Sequence, residues 1–180
     1  NRVLISDLGL PAGPVGLLIA LRYLLSPLSL WAGHRSDTSP IFGQYRTPYI
    51  WSGRFLMVAS FPLLAVSLMM LGNDSGSVAG WLVAFACFLI YGLGTLLSGS
   101  PFLALVRDSA PREKQGLAIS MVETALITLF PIVAIAFGRW KERYDPAVFW
   151  EMVLVTMAIA TFFWIFAIFG VEKRNRRLGS

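Results

Sequence analysis

The chain has 180 residues, 56% of them hydrophobic and only 14% charged, with a net charge of +5. A mean hydropathy of +0.67 makes it too apolar for an ordinary soluble domain of this length, so the bilayer is the expected solvent. The basic residues fall in short clusters between apolar runs and form no single face, which excludes a nucleic-acid partner, and a lone cysteine, Cys87, excludes an intrachain disulfide.

The first ten residues lack a charged start, a continuous apolar core and a small-residue cleavage site, so no signal peptide is expected and the chain reads as a piece of a longer one. Five apolar runs follow, each long enough to cross the hydrocarbon core as a helix: 13–32, 50–71, 78–106, 116–138 and 147–171. They are apolar on every face and carry Pro27, Pro62 and Pro131 in their interiors, which membrane helices tolerate better than soluble ones. Alternating ten-residue segments, the mark of a membrane barrel, are missing. The expected fold is therefore an all-α membrane protein, a polytopic bundle of about five transmembrane helices.

In chain order, the first run holds Arg22 roughly at mid-span, where an unpaired charge is costly. It either meets a carboxyl or carbonyl group of a ligand or pairs with Glu123 of the fourth run. The polar loop 33–49 comes next. There Gly33 suits a close helix contact or a positive-φ turn, Asp37 a helix cap or an arginine partner, and Pro48 the first turn of the following helix. His34, the only histidine, suits a hydrogen bond in this elbow, with ligation of a chlorophyll magnesium as the other reading.

Arg54 and Glu151 lie near run ends and can snorkel to the interface. The third run places Gly94 and Ser98, and Thr95 and Gly99, four residues apart, a spacing that lets helices approach closely or offers a flat surface to a pigment ring. After it comes a basic loop at 107–115, and after the fifth run a basic tail at 172–180, read as a cytoplasmic linker or a contact with anionic lipid.

Orientation follows from the basic residues. Arg35, Arg46, Arg107, Arg112, Lys114, Lys173, Arg174, Arg176 and Arg177 share one side, against Arg2, Arg139, Lys141 and Arg143 on the other. The first group is expected in the cytoplasm, with loops 33–49 and 107–115 and the tail. Trp31, Trp51, Trp81, Trp140 and Trp150 fall near run ends, as an aromatic belt would place them. No phosphate-binding loop, metal-spaced cluster or catalytic triad is present, so no enzyme, catalytic residue or metal site is expected.

Gly33, Asp37, Gly43 and Arg46 between two membrane helices resemble the signature loop of the major facilitator superfamily, with extra residues at 38–41. The longer form, "GHRSDT" with "FGQYRTPYIW", is similar to the PucC and LhaA family of phototrophs, as are the opening 38 residues and "RDSAPREKQGLA", where Gln115 stands in place of an arginine common in that family. The resemblance runs from residue 1 to about 138, and the fifth run matches in hydropathy alone.

It implies most of the N-terminal half of a major-facilitator fold, lacking its first helix. It further implies a role in assembling light-harvesting or reaction-centre polypeptides or in delivering (bacterio)chlorophyll, with transient pigment and no required cofactor, in a cytoplasmic or photosynthetic membrane. Two other readings stay open: a secondary transporter binding solute or proton at Arg22 and Glu123, and a structural subunit bound to a photosynthetic complex.

Overall fold

A computed structural model describes residues 2–39, 41, 44–140 and 145–168. After a π-helical turn at Arg2–Asp7, six α-helices follow: α1 (Ala12–Leu24), α2 (Pro27–Thr38), α3 (Thr47–Asn73), α4 (Val78–Ser109), α5 (Gln115–Trp140) and α6 (Pro146–Ile168). Among the described residues five stretches are long and apolar enough to span a bilayer, with α1 and α2 together forming the first, Ala12–Thr38.

The first run is thus two helices and not one. Pro27 has no N–H to donate back to the preceding turn, so α1 closes at Leu24 and α2 restarts with the proline in its first turn, although Leu25 and Ser26 between them keep right-handed torsions. Leu25 and Ser26 bridge the break with backbone bonds to Leu21 and Tyr23, and Ser29 Oγ donates to the Ser26 carbonyl at 2.7 Å. Pro62, Pro101 and Pro131 lie inside continuous helices.

α3 and α4 form the central antiparallel pair. Their connection is a short polar turn in which Asp74 Oδ1 accepts from Gly76 N at 2.9 Å and Ser77 caps α4 by accepting from Gly80 N at 3.2 Å. Leu68, Leu71 and Ala84 bury against Leu4, Leu10, Val15 and Leu18 at the turn end of the pair. At the opposite end Ile50 and Leu105 form a second core with Trp51, Phe102 and Trp164. α1, α2 and α6 lean on this pair, whereas the fourth candidate span, which includes α5 to Ala136, buries none of its most apolar window.

Candidate functional site

The polar loop expected at 33–49 is shorter than its sequence suggests, because α2 runs on to Thr38 and takes Gly33, His34 and Asp37 into its last turns. Ser36 Oγ and Thr38 Oγ1 donate back to the carbonyls of Gly33 (2.8 Å) and His34 (2.9 Å), so these hydroxyls stay with the helix. Gly33 is helical, not a positive-φ turn, and it faces Ser100 of α4 with room to spare: a Cβ there would lie 3.5 Å from the Ser100 Cβ, an ordinary van der Waals contact. The residue with positive φ among the described glycines is Gly9.

Arg46 stands just before α3 and gathers the ends of two other helices. Its Nε and Nη2 both lie 3.0 Å from Asp37 Oδ1 in the last turn of α2, and its Nη1 donates to Asp108 Oδ2 in the last turn of α4. Asp108 Oδ1 also accepts from Arg107 Nε at 3.2 Å. Helix C-termini are partly negative, so a carboxylate at each is unfavourable on its own, and the guanidinium between them offsets both. Only 14% of the Arg46 side chain is exposed. Burial alone would lower its pKa, yet the hydrogen bonds it donates to Asp108 and Asp37 outweigh that and hold it above the usual arginine value.

Around this clamp the Tyr49 hydroxyl lies 3.4 Å from the Arg35 carbonyl and 3.5 Å from that of Ser39. Ile41 and Gln44 exchange backbone bonds of 2.8 and 3.1 Å. Pro48 occupies the first turn of α3. Gly43 lies outside the described residues, as does the basic tail at 172–180. His34 is exposed, and its imidazole makes no hydrogen bond among the described residues; those residues also contain no cluster of three potential metal ligands.

The structure does not bring Arg22 and Glu123 together. Arg22 sits in the last turn of α1 with an exposed side chain, and the ion pairs among the described residues are those of Arg46 and Arg107. α1 meets α4 beside Gly92, where a Cβ would lie 3.7 Å from Leu25 Cδ1 and 3.8 and 3.9 Å from the Arg22 Cα and Cβ, while most of the Arg22 side chain is exposed.

The small residues of α4 divide into two groups. A Cβ on Gly94 would lie 2.6 Å from the Gly53 carbonyl oxygen of α3, and one on Gly53 would meet Gly94 and Ser98 at 2.6 and 2.7 Å. Gly94 and Ser98 therefore sit at the α3–α4 crossing, where Ser98 Oγ donates to the Gly94 carbonyl at 2.9 Å. Thr95 bonds back to Tyr91 at 2.8 Å, and Gly99 faces open space.

Sequence reasoning missed two participants. Asp108 is 62 residues from Arg46, and no local spacing links them. Arg54 looked like an end residue because the second run was expected to start at 50; with α3 beginning at Thr47 it lies two turns inside, half-buried, with its guanidinium 5.6 Å from the Phe102 ring centroid. The signal available was its distance from Arg46, eight residues or about 12 Å of helix rise.

Comparison with known proteins places these residues in context. The family model described as PUCC protein matches residues 1–180. Protein PucC of Rhodovulum sulfidophilum is 32% identical over 182 residues, covering 98% of this chain and 40% of its own length. Protein PucC of Cereibacter sphaeroides is 33% identical with the same coverage, and the bacteriochlorophyll synthase 44.5 kDa chain of Rhodobacter capsulatus is 26% identical over 97% of this chain. The chain thus spans about 40% of the length of these curated relatives. No solved structure matches. With its five apolar spans and a match along its entire length, the chain is an integral membrane protein of the PUCC protein family.

Proposed function

We propose that this chain is part of a membrane protein that serves the assembly of photosynthetic complexes, handling chlorophyll-type pigment on its way to light-harvesting or reaction-centre polypeptides. The observation that carries this reading is the PUCC family match over all 180 residues, joined by a relative whose name contains bacteriochlorophyll synthase. The elbow fits a protein of major-facilitator architecture, with Arg46 as a latch between the ends of α2 and α4. On this reading the elbow and the basic turn at 107–115 face the cytoplasm. The transporter reading has less support, since Arg22 and Glu123 do not meet among the described residues.

The test is an absorption spectrum, with protein identification by mass spectrometry, of the tagged full-length protein extracted from its own membranes in mild detergent. Pigment bands and antenna or reaction-centre polypeptides eluting in the same peak are the expected result. A colourless peak free of those partners would sink the proposal and return solute transport to the front.

A further inference from the structure

Near the elbow, α3, α4 and α6 enclose a partly open cavity of about 300 Å³, lined by Arg54, Met57, Phe61, Phe102, Phe163 and Trp164 among others. Arg54 is its charged member. The guanidinium sits over Phe102 and meets no carboxylate among the described residues. At the same wall Trp164 packs on Trp51 with ring centroids 5.1 Å apart, and both indole nitrogens are buried without an acceptor among the described residues. Buried indole N–H groups ordinarily find a partner. Both indole nitrogens are closed off behind the wall, so Arg54 is the donor that the cavity presents, and it has no carboxylate among the described residues.

The depth of Arg54 narrows what can supply the acceptor. It lies about 12 Å along α3 from Arg46, inside the apolar span, where an ionisable side chain without an oppositely charged partner is costly and by default marks function. A phospholipid phosphate stays at the membrane surface, so an oxygen that reaches this level must travel on an apolar body. The aromatic side chains favour a flat conjugated body over an acyl chain. A volume near 300 Å³ is at the small end of ligand pockets and admits the edge of a large ring, leaving the rest outside.

The geometry points to this cavity as the place where a chlorophyll-type tetrapyrrole docks by its rim, with Arg54 donating hydrogen bonds to a keto or ester oxygen and Phe102, Phe163 and Trp164 packing on the ring. This rests on the pigment-handling reading above and assigns that handling a site. Edge-on holding leaves most of the ring free for a recipient polypeptide, as transfer requires.

The test titrates bacteriochlorophyll a into the purified full-length protein in mild detergent and follows the near-infrared absorption shift. Arg54→Gln removes the charge, Ala160→Phe fills the cavity, and Arg139→Gln, on an exposed side chain at the end of α5, serves as control. The expected result is binding by wild type and Arg139→Gln alike, a loss of affinity on the order of tenfold for Arg54→Gln, and a loss at least as large for Ala160→Phe. If Ala160→Phe fails to elute as a single species, Arg54→Gln decides. Unchanged affinity in the well-behaved variants overturns this site while leaving pigment handling intact, whereas a wild-type protein that binds no pigment overturns the broader reading and the site with it. Loss of a co-purifying phospholipid from the variants, with pigment affinity unchanged, makes the cavity a lipid site and likewise overturns the proposal.

Discussion

Arg46 acts on two helix ends at once, and its replacement exposes what each bond is worth. Arg46→Ala leaves Asp37 and Asp108 at negative helix termini with no shared cation, at a cost of about 1–2 kcal/mol given that both carboxylates are half-exposed. Thermal unfolding in detergent should show that loss. Adding Asp108→Asn to Arg46→Ala should lower stability by less than Asp108→Asn does alone, because the pair acts as one unit. Arg46→Lys recovers only part, since an ammonium cannot present the fork that reaches both aspartates. At this scale the sequence made Asp37 and an arginine partner legible, nine residues apart in one loop. Asp108 stayed hidden because its approach depends on how α4 packs, which no short-range pattern encodes.

Among the elements, the α3–α4 crossing depends on the absence of side-chain carbons. Gly94→Leu forces a Cβ to within 2.6 Å of the Gly53 carbonyl, a backbone atom that cannot swing aside, so the helices must separate and the loss should reach at least about 2–3 kcal/mol. Gly99→Ala, one turn further along and facing open space, should stay within about 0.5 kcal/mol of wild type. Unfolding of the two variants under one set of conditions distinguishes a packed face from an idle one; equal losses would contradict the crossing described. The expected runs located five apolar spans from length and hydropathy, and the four-residue spacing pointed to α4 packing. It could not separate Gly94 and Ser98 from Thr95 and Gly99, because spacing fixes a face and only the partner helix chooses between faces. The break at Pro27 was hidden by continuous apolarity on both sides, and the extension of α2 by polar residues that read as loop while their hydroxyls bond back to the helix.

For the molecule as a whole, alternating spans put the Asp74–Ser77 turn and the Arg112–Lys114 turn at opposite ends of α4. Orientation can be read directly by substituting Ser75→Cys and Glu113→Cys and labelling with a membrane-impermeant maleimide, while the native thiol at Cys87 is buried. Intact cells should label Ser75→Cys, and inverted vesicles Glu113→Cys. The reverse pattern would overturn the positive-inside assignment. Asp37 lies nine residues before Arg46, but Asp108 follows it by 62. During synthesis the first bond can therefore close as the loop emerges, while the second must wait roughly 3–12 s for the ribosome to complete α4. Until then the newborn hairpin is tethered at one corner only, and the arrival of Asp108 marks the moment at which three helix ends become a single fixed joint.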